Sequence, residues 1–227
     1  MTEIFTARSG VRLLPALCIF AILASASGCS VFVMFGKMLL GDPTVESPFK
    51  QRTSVDLTDG DVKILVVCKT PSLVLSQLPT LQYDLNEGVL RRLKQHGIST
   101  VSPDDVSDWL DENGGEIDNP RDLAEDFECD FIVVATVREI GFHEHNSPDM
   151  YRGRANGGLQ VYEVKITEEG EKNVLQVYTS QFNTEYPRMN PISTNQVGER
   201  VFQKQFMSHL TDTISRQFYD YKAGDDF

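Results

Sequence analysis

His143-Glu144-His145, with Asp149 close behind, is the one cluster in this sequence with metal-ligand chemistry. Histidines two apart on a strand point to the same face, so both imidazoles can reach one zinc or copper ion. A third ligand has to come from Asp149 or from elsewhere in the chain. No second histidine or cysteine motif is present to complete such a site. The segment therefore reads as an exposed polar loop bent by Pro148, and no metal or other cofactor is expected. Just downstream, Arg152, Gly153, Arg154, Gly157 and Gly158 have the composition of an anion-binding loop. They precede a strand rather than a helix, so the helix-dipole contribution to anion binding is missing. A flexible lead into that strand is the expectation.

Signatures of covalent or hydrolytic catalysis are absent from the sequence. There is no Gly-x-Ser-x-Gly elbow, no His-Glu-x-x-His and no glycine-rich phosphate loop of either usual spacing. Asp104, Asp105, Asp108, Asp111 and Glu112 surround Trp109. Paired carboxylates can hydrolyse glycosides when held several ångströms apart across a sugar. These fall around a helix that uses acids at its positive end, which makes them a solvated face. No catalytic residue is assigned.

The chain has four cysteines, Cys18, Cys29, Cys68 and Cys129. Cys18 lies within an apolar leader. Cys68 and Cys129 each adjoin an apolar run and read as buried thiols. A disulfide between them stays open, because sequence does not give their separation.

Cys29 has a different setting. Arg8 and Arg12 open a leader, residues 13–24 form its apolar middle, and Ala26-Ser27-Gly28-Cys29 closes it with small residues. The apolar middle is shorter than the roughly 20 residues a bilayer-spanning helix needs. The competing reading is an uncleaved membrane anchor running from Val11 to Leu40. Ser25, Ser27, Gly28, Ser30, Gly36 and Lys37 interrupt that run.

The tetrapeptide resembles the lipobox of bacterial lipoproteins. The resemblance implies a diacylglyceryl thioether on Cys29, cleavage between Gly28 and Cys29, and acylation of the new amine. Small side chains let a peptidase reach the backbone there, and two or three acyl chains make a stable anchor where one is reversible. Ser30 resembles the residue that sends enterobacterial lipoproteins to the outer membrane. The expected address is thus a lipid anchor outside the cytoplasm, at the outer membrane and facing the periplasm.

Composition bounds the rest. With 41% apolar residues and a mean hydropathy of -0.24, the 227-residue chain can build a core. Its formal net charge of -12 opposes binding to nucleic acid, whose affinity rests on cations displacing counterions. It also opposes adhesion to anionic lipid through a basic patch.

The expected organisation is a signal peptide over 1–28, a lipidated tether over 29–60 and an α/β domain over 61–227. Residues 62–68 read as a doubly buried strand, and 131–137 as a second. Between them, Leu81, Leu85, Val89 and Leu93 mark a helix that Gly97 ends, and residues 98–101 a short strand. Ser102-Pro103 and Asn119-Pro120 start two further helices. After the polar loop, residues 158–168 and 174–182 alternate as a hairpin around Gly170. Val197, Val201, Met207, Leu210, Ile214, Phe218 and Tyr221 mark a long closing helix over 194–222, with Phe202 and Phe206 widening its apolar face. The fold class is α/β (α+β): a single mixed sheet with helices packed on its faces and a long C-terminal helix.

This element order, with the phrase Cys129-Asp130-Phe131-Ile132-Val133-Val134, resembles small α/β domains of bacterial envelope lipoproteins over about residues 61–185. They include the curli-secretion lipoprotein, lipoprotein activators of peptidoglycan synthases and the amino-terminal domain of the Tol translocation protein. Those domains have no catalytic residues to carry over. The channel-forming member needs membrane-inserting hairpins, and no pair of alternating lipid-facing strands is read here. The expectation is a non-enzymatic interaction or assembly module that contacts another envelope protein. The alternative is a lipoprotein that binds a small molecule or metal through the loop from His143 to Arg154.

Overall fold

The computed structural model describes residues 43–114, 117 and 119–224. The leader, Gly28, Cys29 and the apolar stretch 31–40 lie outside the described residues. The chain divides into two units. In the smaller, the Ala223 N–H donates to the Pro43 carbonyl at 3.0 Å. The larger, Val45–Tyr221, holds the sheet and the helices.

At its centre β1 (Lys63–Lys69) lies between β2 (Ser99–Thr100) and β3 (Phe131–Glu144), parallel to both. β4 (Ser147–Ile166) runs antiparallel to β3, and β5 (Lys172–Tyr186) antiparallel to β4. A short β6 (Ile192–Ser193) also pairs with β4, at Met150 and Tyr151. The sheet order is thus β2-β1-β3-β4-β5. This is the mixed α/β architecture expected from the alternation of patterns.

Helices α1 (Pro48–Thr53), α2 (Ser72–Leu75), α3 (Leu81–Gln95), α4 (Pro103–Glu112), α5 (Pro120–Asp126) and α6 (Glu199–Ser215) surround it. One sheet face sets Ile64, Val66, Val133 and Ala135 against α3 and α6. The other sets Leu65, Val67, Ile132 and Val134 against Val106 of α4 and Leu123 and Ala124 of α5. β1 and the first half of β3 are therefore aliphatic on both sides, as strands buried between two helix layers must be. Gly88 lets α6 approach α3: a Cβ there would lie 2.6 Å from Thr211 Cγ2. Across the same contact Arg92 pairs with Asp212 and donates to the Ser208 carbonyl at 2.9 Å.

Local chemistry sets the helix ends. The Ser102 and Asn119 side chains accept the backbone N–H groups of Asp105 and Arg121, and prolines occupy the following first turns. Gly97 takes a φ of +79° after α3, and Gly170 one of +87° in the β4–β5 turn.

Three expectations need correction. The polar loop after Val137 does not exist. β3 continues to Glu144, and β4 begins at Ser147 after a tight turn at His145-Asn146, where Asn146 has a φ of +59°. The period of two was present in Tyr151, Gly153, Ala155, Gly157 and Leu159, all buried, but glycine concealed it. Gly153 and Gly157 stand where larger side chains would collide with aromatic rings. A Cβ on Gly153 would lie 2.2 Å from the Phe206 ring, and one on Gly157 2.1 Å from the Thr136 carbonyl and 2.3 Å from Phe182.

The closing helix is also shorter than 194–222. It is capped at Gly198 and ends at Ser215, and Val201 is 55% exposed, so Phe202, Phe206, Leu210 and Ile214 form the inward face.

Finally, part of the segment read as tether belongs to the core. Phe49 of α1 is 0% exposed and Leu57 1%. Phe49 meets the rings of Phe131, Tyr178 and Phe218 at 5.7, 5.5 and 5.9 Å. Lys50 ties the same helix to Asp56 at 2.5 Å and to Asp220 at 3.3 Å. The Lys50 ammonium holds the Asp56 carboxyl down at about 2.

The two adjacent glycines of β4 should behave differently. Gly157→Ala meets backbone and a packed ring and should cost about 2–3 kcal/mol. Gly158→Ala meets only the mobile end of Gln181, at 3.1 Å, and should stay within about 0.5 kcal/mol. Urea unfolding midpoints of the two variants check this.

Candidate functional site

The hairpin of β3 and β4 carries the residues that sequence singled out, and it separates them. His143 is on β3, exposed, with its ring 5.2 Å from that of Tyr151. His145 is in the turn, and its N–H donates to Glu144 Oε1 at 2.8 Å. Asp149 is exposed on β4, and its carbonyl accepts from Thr194 N–H at 2.9 Å. Because β3 ends at Glu144, the two histidines do not share the regular strand geometry on which a common ion depends. Among the described residues no three His, Cys, Asp or Glu side chains converge as a metal site.

The residue between the histidines is the one engaged. Arg152 and Arg154 alternate along β4 and project to the face opposite the core, where Glu144 of β3 and Glu185 of β5 flank them. Arg154 reaches Glu144 at 2.6 Å and Glu185 at 3.0 Å. Arg152 lies 2.7 Å from Glu144, though its Nε is not aligned as a hydrogen-bond donor there, and it also pairs with Glu185. Two guanidinium groups and two carboxylates thus neutralise each other across three strands. The Arg154 hydrogen bonds hold the carboxyls of Glu144 and Glu185 below the usual range, and those carboxylates raise Arg154. The arginines that gave this segment the composition of an anion-binding loop are therefore occupied by the protein's own anions. An Arg-x-Arg alternation within a strand was the available signal; its partners are set by register, which spacing alone does not reveal.

The same outer face continues as uncharged and singly paired polar groups. Arg138, displaced at the irregularity between Val137 and Glu139, donates to the Gly157 carbonyl at 3.1 Å and to Gln181. Asn156 donates to Glu139 at 2.6 Å. Glu139, Gln160, Gln181 and Asn183 are exposed. α4 and α5 cover this face only lower down, over Leu65, Val67, Ile132 and Val134.

Among the described residues Cys68 and Cys129 are both free, and no bridge joins them. Cys68 is in the cluster beneath α3 and α6, and Cys129 packs against the cluster on the opposite face. Burial pushes the Cys68 thiol up to about 12 and that of Cys129 to about 11, so neither is a nucleophile at neutral pH. Asp104, Asp105, Asp108, Asp111 and Glu112 are exposed on α4, as a solvated face requires.

A separate crevice opens beyond the ends of β1 and β2, beside Thr136 midway along β3. Its two lobes, about 300 and 360 Å³, share Val67, Leu75, Gln82 and Leu110. Sequence reasoning missed it, because α2, α3 and α4 meet there only after the sheet has formed.

Among the described residues no helix is long and apolar enough to cross a membrane. No protein-family model matches the chain, and no curated protein matches it. Solved structures similar to it include the lipoprotein GNA1162 of Neisseria meningitidis, at 14% identity and a TM-score of 0.36, over 68% of this chain and 98% of that one. The PelC dodecamer of Paraburkholderia phytofirmans is similar at 8% identity and a TM-score of 0.40, over 78% and 96%. Rare lipoprotein B of Shewanella oneidensis is similar at 10% identity and a TM-score of 0.27, over 66% and 89%. Bacterial lipoproteins are thus among the structural neighbours.

The charge cluster makes a prediction with a definite sign. Because Glu144 and Glu185 are depressed in the folded state, their contribution is present above the unfolded carboxyl value, about 4.3. It is lost as pH falls through the lower folded values. Glu144→Gln should be less stable than the native chain at pH 7, and the gap should close towards pH 3. Urea midpoints across that range check it; a gap that stays constant would assign the effect to packing instead of charge.

Proposed function

We propose that this chain is a bacterial envelope lipoprotein, cleaved after Gly28 and anchored by acyl chains on Cys29. Its α/β domain acts outside the cytoplasm, at the periplasmic side of the outer membrane, as a non-enzymatic module that contacts another envelope protein. The supporting observation is the uncovered outer face of β3, β4 and β5. Its inner side is held by α6, while Glu139, Gln160, Gln181 and Asn183 stand exposed on the outer side.

The physical case for contact there is threefold. A three-stranded platform backed by a helix is already ordered, so binding costs little conformational entropy. Its four strongest charges already neutralise one another, which reduces the cost of desolvating it. A polar, hydrogen-bonding surface of this kind matches the wet interfaces of non-obligate complexes. The missing nucleophile and phosphate motifs support an interaction role over a catalytic one.

Two measurements test this. Intact mass spectrometry of the protein from its native membrane should find Cys29 amino-terminal and acylated, and Cys29→Ser should abolish that species. An uncleaved chain would overturn the anchor. A photo-crosslinking side chain at Gln181 or Asn183 in intact cells should capture a discrete envelope protein, whereas one at Glu125 on α5 should not. Equal labelling at all three positions, or none, would overturn the interaction surface.

A further inference from the structure

β5 pairs with β4 on one side only, and its other side is an edge of the sheet. The register decides which of its backbone groups face outward. The Val164 N–H donates to the Asp130 carbonyl at 2.8 Å, and Tyr162, Gln160 and Gly158 stand opposite Ile132, Val134 and Thr136. Antiparallel pairs alternate between bonded and non-bonded, so these residues of β4 direct their backbone groups to β3. Their neighbours on β5, Thr179 opposite Gln160 and Gln181 opposite Gly158, therefore turn N–H and C=O away from the sheet. Asn183 and Glu185 follow with the same period of two.

The two halves of this edge differ. In the first, the Lys172 carbonyl accepts from Arg121 Nη2 at 3.3 Å and the Thr179 carbonyl from Arg52 Nη1 at 3.1 Å. Between them a register shift leaves Val177 as an extra residue. Charged side chains and bulges of this kind blunt an edge against other chains. The second half has no such protection. Residues 180–186 contain no Lys, Arg, Gly or Pro. Among the described residues no further hydrogen bond caps the backbone edge beyond Thr179. β6 pairs with β4 at Met150 and Tyr151, past the end of β5. α6 meets β5 from below, through Thr184, whose Oγ1 lies 3.3 Å from that of Thr213.

We propose that a second copy of this chain pairs antiparallel along this open half, with a twofold axis at Asn183. Outward N–H and C=O groups repeating every two residues fit another extended strand, and this segment fits itself. With the axis at Asn183, Gln181 faces Glu185 of the partner subunit and Asn183 faces its own equivalent. Each of these pairs exchanges two backbone hydrogen bonds.

The neighbouring registers are poorer. Moving the axis one residue towards Thr179 sets Glu185 opposite a carbonyl that Arg52 already holds. Moving it one residue the other way sets Gln181 opposite Pro187, which has no N–H. Only the axis at Asn183 gives every open residue a full partner. Like charges do not meet there: Glu185, bound by Arg152 and Arg154 of its own chain, lies against a glutamine. The arrangement is isologous and joins the two sheets edge to edge. It leaves the outer face of β3, β4 and β5 uncovered, so it neither needs nor excludes the contact proposed for that face.

Cysteines introduced one at a time into the full-length protein, and oxidised mildly in native membranes, test both the pairing and its register. Cα atoms in a hydrogen-bonded antiparallel pair lie about 5.5 Å apart, within disulfide reach. Asn183→Cys should therefore give a disulfide-linked dimer. Gln181→Cys alone should not, because its equivalent is roughly 14 Å away. Co-expressed Gln181→Cys and Glu185→Cys chains should link to each other, and the unsubstituted chain, which keeps Cys68 and Cys129, sets the background. Sedimentation of the detergent-solubilised protein is a second readout. Asn183→Pro removes an outward N–H while leaving the bonds to β4 in place, and should weaken dimerisation about tenfold, with circular dichroism confirming the fold. No dimer from Asn183→Cys, equal linkage at Asn183 and Gln181, or linkage to a different protein in place of a second copy would overturn the proposal. A folded Asn183→Pro variant that dimerises as the native chain does would overturn it too.

Discussion

The structure depends on the parallel pairing of β1 with β3. From Ile64 opposite Phe131 to Lys69 opposite Thr136, the two strands carry aliphatic side chains to both faces. Such a pair cannot leave either side in water, so it requires a helix layer above and another below. α3 and α6 supply one, α4 and α5 the other. The crevice follows from the same constraint, since the chain must leave adjacent strand ends towards opposite layers.

Beyond Thr136 the demand changes within a single strand. β3 runs on to Glu144 without a parallel neighbour, paired only to β4, and needs cover on one face alone. At about 3.3 Å per residue this adds an arm of ~25 Å. α6 lies under it, and the fit is made by subtraction: Gly153 and Gly157 remove side chains where Phe206 and Phe182 must sit. Close packing of ring against backbone replaces the side-chain interdigitation found at the centre of the sheet. On the opposite face the arm carries its own neutralised charges, which keeps it soluble without a second helix layer.

These two regimes explain which parts of the fold were legible. Where a segment lies between two layers, its hydrophobicity is continuous and its helices carry a full apolar stripe. The segments around Val66, Leu85 and Val133 were readable for that reason. Where a strand has one buried face built from glycine and alanine, as in β4 from Tyr151 to Leu159, the pattern has the right period but almost no amplitude. Val201 shows the converse, since an apolar residue near the inward stripe of α6 points to solvent. Phe49 was obscured in another way: one aromatic in a short polar segment has no periodicity, yet it seats against three rings from distant parts of the chain.

The sequence by itself determined what depends on local order: the lipobox expectation at Cys29, the alternation of strands and helices, the caps at Ser102 and Asn119, and the absence of catalytic motifs. Tertiary structure decided what depends on register and on approach between remote segments. It brought Glu144 and Glu185 to Arg152 and Arg154, and placed Cys68 and Cys129 on opposite faces. The reason is that capping and periodicity act over a few residues and are written in neighbouring letters. Charge pairing and cavity shape act across space, between residues whose adjacency exists only once the sheet has set its register.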